Sequence, residues 1–425
     1  MPERPRPPRG MRDFLPDEAL RRHALLELIR EAYRKYGFRE IETPALEDLA
    51  TLTTSQGGEN EKLIFQTLRR GLDPTATPAS IAELTDYGLR FDLTVPLSRY
   101  FATNQSRLPL PFRAFQAGPV WRAERPQRGR YRQFIQCDID IIGEPSIFAE
   151  CELLSGSIDA LRAIGLSQVR VRLNDRRLLL ALLAAFGFTE QLAASALITI
   201  DKVDKIGVDG VVRSLRDDGY PDGAVAQLEG FLPKMAQAGM TAEAIVDALP
   251  PGIDPSLIAD LEAIRAAVLA QATEAVVIDL DLTLVRGMGY YTGPIFEIEH
   301  PGFPGSIAGG GRYDDMVGRF LQRPVPACGI SLGFERLVEV VTQETSSQEK
   351  RLAFVFERDS AALTDLSREA RKLRDDGYIV EPIQGKSSVS RKRLSADGYE
   401  FVVIAGSGDV PERLVPQVDR PPASA

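Results

Sequence analysis

The sequence predicts an α+β protein in three parts: a main domain on an antiparallel sheet, residues 1–170 and 271–342; a helical insertion, 171–270; and a small, shortened α/β domain, 351–425. Three observations predict it. Residues 118–144 read as two alternating, strand-like flanks around an arginine-rich connector. From Asn174 to Ala270 the texture is alanine- and leucine-rich helix, broken at Gly187, Pro233 and Pro250 to Gly252. Beyond a polar linker, Gln343 to Lys350, strand and helix patterns alternate in short pieces.

The stretch 118–144 organises the chain. In its second flank Phe134, Gln136, Asp138 and Asp140 share one parity while Ile135, Cys137, Ile139 and Ile141 share the other, so one face is mostly polar and the other is core. In the first flank Arg122 and Glu124 share a parity, and Arg125, Pro126, Gly129 and Arg130 form a turn-rich connector. The expected hairpin presents Arg, Glu, Gln and Asp on one surface. That surface reads as a site for an anionic and a cationic group side by side, or as a solvated hairpin with a structural ion-pair network; the pattern leaves both open.

Composition narrows the class. A chain of 425 residues, 44% hydrophobic and 26% charged, has ample core for a globular protein. A net charge of -9 excludes a global basic field for non-specific nucleic-acid binding but leaves room for a local patch. Cys137, Cys151 and Cys328 fit no metal spacing and read as reduced thiols. With only His23 and His300, most zinc sites and catalytic triads are excluded, no metal site is expected, and His23 reads as a surface residue. The proline- and arginine-rich N-terminus is no secretory signal, and the longest apolar run, Leu178 to Phe186, is too short for a bilayer, so a cytoplasmic protein without membrane attachment is expected.

In chain order, Asp17 is placed to cap a helix with Leu20, Ala24, Leu28, Ile29 and Ala32 at helical spacing, ending at Gly37. Phe38 to Thr43 reads as a strand stopped by Pro44, an element either at a subunit boundary or of an ordinary first helix and strand. Asn60 to Tyr87 is polar and glycine-interrupted, with Leu72 to Ser80 expected as a mobile loop. Leu89 to Pro96, LRFDLTVP, reads as a strand with Arg90, Asp92 and Thr94 on one face. Ala149 to Ile164 reads as an amphipathic helix and Val169 to Leu173 as a strand. After the helical stretch, Glu274 to Arg286 returns to strand pattern and leads into RGMGYYTGPIFEIE, whose Gly287, Gly289 and Gly293 do not have dinucleotide spacing. AGGGRYDD, Ala308 to Asp315, places three glycines where a backbone passes close to another group. GISLGFERL, Gly329 to Leu337, puts Arg336 in the first turn of a helix, where the dipole disfavours a cation and an anionic ligand explains it better. The last part reads as strand Leu352 to Phe356, a Ser360-capped helix, strand Tyr378 to Glu381, a short helix at Val389 to Leu394, strand Phe401 to Ala405 and a frayed proline-rich tail from Val410.

These stretches carry a resemblance. WRAERPQRGRYRQFIQCDIDIIGE resembles the arginine-bearing second signature of histidyl-tRNA synthetases, and VRGMGYYTGPIFE resembles their histidine-specific loop. GFREIETPALE is similar to the first class II signature and GISLGFERL to the third, in the expected order from Arg9 to about Val340. LRFDLTVP and QCDIDIIGE look closer to the archaeal and eukaryotic branch, with Asp92 and Asp140 where the common bacterial form has glutamate.

The resemblance implies a class II synthetase-type homodimer that activates L-histidine with ATP and Mg2+ and passes it to tRNA(His). By motif position it implies ATP contacts from Arg122, Glu124, Arg130, Phe134 and Arg336: Arg122 at the α-phosphate, Glu124 and Phe134 at the adenine, Arg130 and Arg336 at the terminal phosphates. Arg286 and Arg122 become the catalytic residues, Arg286 facing the α-phosphate. Asp92, Thr94 and Gln136 become ligands of the amino group, and Asp140, Tyr290, Tyr291 and Tyr313 the imidazole pocket. The last domain resembles a shortened anticodon-binding domain, lacking the family's further strand and closing helix, in which Arg391, Lys392 and Arg393 read either as phosphate contacts or as a solvated face. Two alternatives stay open: a paralogue with a non-tRNA acceptor, and a histidine-sensing regulatory subunit of ATP phosphoribosyltransferase.

Overall fold

The computed structural model describes residues 5–53, 60–72, 80–126, 129–235, 240–273, 275–286, 289–342, 350–358 and 361–414. They form two compact units, Met1–Gln343 and Glu344–Ala425. In the first, the strands are β1 (Arg39–Glu40), β2 (Leu46–Asp48), β3 (Gln66–Leu68), β4 (Thr85–Leu89), β5 (Phe112–Trp121), β6 (Gln133–Ile142), β7 (Arg170–Asp175), β8 (Val277–Leu280), β9 (Pro294–Glu299), β10 (Ser306–Arg312) and β11 (Ala327–Gly333). Among the described residues, eight of these make one sheet in the order β1-β5-β6-β11-β10-β9-β7-β8. Its interior pairs are antiparallel, and parallel pairing occurs at the two edges, β1 with β5 and β7 with β8.

Strands β5 and β6 form the expected hairpin, running from Phe112 opposite Ile142 to Trp121 opposite Gln133. The parity reading of β6 holds: Cys137, Ile139 and Ile141 are fully buried in the main apolar cluster. That face is covered by helix α1 (Pro16–Lys35), through Leu25, Ile29, Ala32 and Tyr33, and by a second long helix, Phe148–Ala163, that packs on α1. Burying such side chains contributes roughly 1.5–3 kcal/mol each. Asp17 does not cap α1: Leu15 holds the N-cap position without a side-chain bond, and Pro16 starts the helix, where its missing N–H costs nothing. Gly37, at φ 77°, ends it as expected.

Several expectations are corrected. LRFDLTVP is not a strand: β4 stops at Leu89 and a helix, Thr94–Asn104, begins five residues later. Asp92 Oδ1 accepts from the Val95 N–H at 3.2 Å, and Pro96 lies in the first turn, where proline is tolerated. Arg90 turns inward, donating to the Thr43 carbonyl at 2.7 Å and the Pro119 carbonyl at 2.9 Å. Asn60 to Tyr87 contains β3 and β4, which join β2 in a three-stranded sheet, and residues 73–79 of the expected loop lie outside the described residues. The strand expected at Phe38 to Thr43 shortens to Arg39–Glu40. Arg122 and Glu124 lie past the end of β5, although Arg122 N still bonds the Arg132 carbonyl at 2.9 Å.

Between β7 and β8 the chain runs through six helices among the described residues, Arg176–Ala185, Glu190–Ile200, Val203–Asp217, Asp222–Met235, Ala242–Ala248 and Ser256–Gln271. No single described helix is long and apolar enough to cross a membrane.

The second unit is a four-stranded sheet in the order β13-β12-β14-β15, made of β12 (Arg351–Phe356), β13 (Ile379–Gln384), β14 (Phe401–Ile404) and β15 (Glu412–Arg413). Alternation along β12 sends Leu352 and Phe354 into one cluster with Leu366, Ala370 and Leu373, and Ala353 and Val355 into another with Leu394 and Leu414. Ser360 lies outside the described residues, and the helix it was expected to cap, Leu363–Asp375, has Ala362 at its N-cap. The tail is not frayed from Val410. β15 pairs with β14 and Leu414 is 5% exposed, because two more backbone pairs and one buried leucine close that edge; residues 415–425 lie outside the described residues.

Candidate active site

The polar face of β6 forms the floor of a cleft with about 530 Å³ of empty volume. Most of its walls come from residues singled out in the sequence: Asp92 and Thr94 at the start of the Thr94–Asn104 helix, Arg122 after β5, and Gln136 and Asp140 on β6. Arg286, Tyr290 and Tyr291, just ahead of β9, and Tyr313, just after β10, join them, with Asp138 of β6 and backbone of β10 and β11 between. Glycines let these strands close in. Asp140 stands opposite Gly329 on β11, and a methyl at Gly329 would overlap its Oδ1; one at Gly309 would overlap the Arg286 guanidinium.

In the cleft Tyr313 Oη donates to Asp140 Oδ1 at 2.5 Å. Asp140 is 3% exposed, and burial, helped by Asp92, pushes its carboxyl up to about 7 against the opposing Tyr313 bond. Tyr290 packs on Tyr291 at 4.7 Å between ring centroids and edge-on to Tyr313 at 6.1 Å. Gln136 Nε2 donates to Ser331 Oγ at 2.9 Å. Among the described residues Gln136 Oε1, Asp140 Oδ2 and Arg286 Nε are buried without a hydrogen-bond partner, three polar atoms that a ligand in the cleft can satisfy.

The same cleft carries guanidiniums. Arg286 donates to Glu297 Oε1 at 2.6 Å, and Arg122 donates to the Phe91 carbonyl at 2.9 Å with its guanidinium 5.1 Å from the Phe134 ring centroid. Arg336 donates to the Ser306 carbonyl at 2.5 Å and lies 5.5 Å from the Phe303 ring. Burial holds the Arg336 guanidinium below its ordinary value, and Arg130, Arg286 and Arg122 push the same way, so four guanidiniums share one field. Such crowding is relieved by an anion. Glu124 and Arg130 form an ion pair at 3.1 Å. Glu124, Arg130, Phe134 and Arg336 lie outside the lining of the cleft itself, beside Arg122.

Sequence reasoning passed over the residues that hold these groups. Glu297 has a parity signal in IFEIE, whereas Ser331 carries none in GISLG. Arg312, beside Tyr313, makes a two-pronged bond to buried Glu150 at 2.7 and 2.8 Å. Glu335, beside Arg336, takes Arg22 at 2.7 and 2.8 Å and Arg12 at 2.5 Å, locking the N-terminal segment and α1 to the helix Phe334–Val340. The Arg312–Glu150 and Arg22–Glu335 pairs are long-range, and no local pattern reveals them.

The chain resembles known proteins in sequence and in fold. Residues 10–337 match the family model described as histidyl-tRNA synthetase. The chain is 50% identical over 386 residues to a histidine–tRNA ligase of Leifsonia xyli, covering 87% of this chain and 89% of that one. It is 41% identical over 339 residues to one of Aeropyrum pernix, covering 79% and 74%. Among solved structures, a histidyl-tRNA synthetase from a Nostoc species superposes with a TM-score of 0.74 at 27% identity, over 94% of this chain and 91% of that one. A Bacillus halodurans protein titled ATP phosphoribosyltransferase regulatory subunit/histidyl-tRNA synthetase shares the fold, with a TM-score of 0.76 at 23% identity over 95% and 99%. With a family model matched over three quarters of its length and 50% identity to one relative over 386 residues, the chain belongs to the histidyl-tRNA synthetase family.

Proposed function

We propose that the chain activates L-histidine with ATP to histidyl-adenylate and transfers the histidyl group to tRNA(His), using the residues of the cleft. The observation that carries this reading is one cavity lined by carboxylates, tyrosines and guanidiniums together, with Arg130 and Arg336 close enough to Arg122 and Arg286 to share their field. In the first step a histidine carboxylate oxygen bonds to the α-phosphorus of ATP as the bond to pyrophosphate breaks. Negative charge meets negative charge, so fixed cations carry most of the catalysis. Arg122 and Arg286 take the α-phosphate and Arg336 and Arg130 the leaving phosphates. Glu124 and Phe134 adjoin the adenine. Asp92, Thr94 and Gln136 hold the amino group, and Asp140, with Tyr290, Tyr291 and Tyr313, reads the ring through both of its nitrogens. In the second step a hydroxyl of the terminal tRNA ribose attacks the carbonyl carbon and AMP leaves.

Mg2+ would enter on the ATP phosphates. Among the described residues no group of three or more His, Cys, Asp or Glu is placed to hold a metal, and this ion is commonly bound through substrate phosphates. Residues 171–270 act as an insertion of the catalytic domain, and the second unit contributes to tRNA binding. On that unit Lys392 and Arg393 are exposed, while Arg391 pairs with Glu412 at 3.2 Å. The working form is a cytoplasmic homodimer, which light scattering would test.

The deciding experiment is histidine-dependent exchange of pyrophosphate into ATP, followed by charging of tRNA(His). Exchange and charging together support the reading. Exchange without charging would redirect it to another acceptor, and histidine binding without exchange would favour a sensor.

A further inference from the structure

A second cavity, with about 440 Å³ of empty volume, lies among the helices behind the main sheet and shares no lining residue with the cleft. Its walls are the second half of the helix Phe148–Ala163, the end of the helix Ser256–Gln271 that packs on it, and the segments that enter β7 and β8. Ser155, Ile158, Asp159 and Arg162 recur at three- and four-residue spacing, so one face of the first helix is turned toward the space. Most of the interior is apolar, from Ile158, Leu166, Val169, Val268 and Val276.

The polar groups are few and specific. Ser155 is 5% exposed, and its Oγ is buried without a hydrogen-bond partner among the described residues. A hydroxyl in that state costs free energy until a partner reaches it. One helical turn on, Asp159 accepts from Tyr36 Oη at 2.8 Å on one oxygen and pairs with Arg162 at 3.1 Å on the other, which leaves an acceptor site on each. Arg162 also donates to Thr273 Oγ1, just past the end of the second helix. As charges, Asp159 and Arg162 cancel. What remains is the field of two helix C-termini, each equivalent to roughly half a negative charge, and the helix Ser256–Gln271 has no basic residue in its last turn to offset its share. An apolar chamber with a net negative field, an orphan hydroxyl and carboxylate acceptors fits an ammonium group on an apolar body and disfavours a carboxylate.

We propose that this cavity binds a small organic monocation, a primary amine on a single ring or short branched chain, whose ammonium donates to Ser155 Oγ and Asp159 while the body lies among the valines. Bound there, it bridges the helix that closes the insertion to the helix behind the sheet. The proposal is independent of the histidine-activating reading, because the two sites have no residue in common.

The probe is phenethylamine, titrated calorimetrically into the full chain. It should saturate with a Kd of about 1 mM or tighter, within reach of a ligand of its size. 2-Phenylethanol, which lacks the charge, should bind about tenfold more weakly, and 3-phenylpropionate should not saturate. Asp159→Asn should lower the affinity for the amine about tenfold and leave that for the alcohol unchanged. Ala272→Leu, which narrows the cavity, should weaken both, with folding checked by thermal melting; Ser155→Ala, which removes one acceptor of the ammonium, takes its place if the leucine disturbs the helix junction. Absence of saturable amine binding, equal binding of the carboxylate, wild-type affinity in Asp159→Asn, or competitive displacement of the amine by histidine overturns the proposal.

Discussion

Replacing Asp140 by asparagine removes a titrating group while keeping its shape and its bond from Tyr313. The carboxyl is held up at about 7 by burial and by Asp92, against an ordinary value of 3.8. Its native form therefore binds a proton more tightly than the unfolded chain does. The stability this contributes is fully present below about pH 4, declines as pH rises, and is gone once pH passes about 7. At about 1.36 kcal/mol per pH unit the swing is about 4 kcal/mol, a large part of an ordinary folding free energy. Urea denaturation of the ligand-free protein at pH 5 and at pH 8 measures it. Wild type should lose stability relative to Asp140→Asn between those two values, and saturating histidine should shrink the loss by supplying a ring N–H to the ionised carboxylate. A gap between wild type and variant that does not change with pH would refute the reasoning, because Asp140 would then be ionised throughout.

Other perturbations address the remaining parts of the site. Arg286→Ala should lower the exchange rate by about 100- to 1000-fold, the loss of one preorganised charge-stabilising group, with a small change in histidine KM. Gly329→Ala should raise the histidine KM far more than the ATP KM, since the new methyl displaces Asp140 and leaves the arginines alone. Glu335→Ala strands the buried Arg22 guanidinium and should destabilise the first unit by about 3–5 kcal/mol in chemical denaturation; Arg22→Met with Glu335→Leu should recover much of that. Tyr313→Phe removes the bond that restrains Asp140 and should move the pH dependence of stability upward.

What was legible in the sequence was whatever has a short period or a near neighbour. The two-residue alternation of β6 identified both its faces and its polar side chains, and the glycines of AGGGRYDD marked a close approach that the packing of Gly309 on Arg286 explains. LRFDLTVP misled for the same reason. Its alternation comes from an aspartate just ahead of the helix and a first-turn proline, and the bond from Val95 N–H to Asp92 marks a helix start rather than a strand. The two-residue β15 has too few residues to show any period, and it is recognised only through its pairing with Val402 and Phe401. Positioning pairs such as Arg22 with Glu335, or Arg312 with Glu150, join positions more than a hundred residues apart and leave no local trace.

The parallel pairing of β7 with β8 has an architectural consequence. Strands that run side by side in the same direction cannot be joined by a tight turn; the chain must travel back over the full strand length before re-entering the sheet. A single helix would satisfy that requirement, yet six described helices occupy the return path. Because loop-closure entropy grows only slowly with length, the detour can lengthen, shorten or change sequence while its entry at Asp175 and exit at Val277 stay pinned to one sheet edge. The route is thus a socket for interchangeable parts, and a graft of a foreign helical hairpin there is the place to ask how much of the chain adenylate formation can do without.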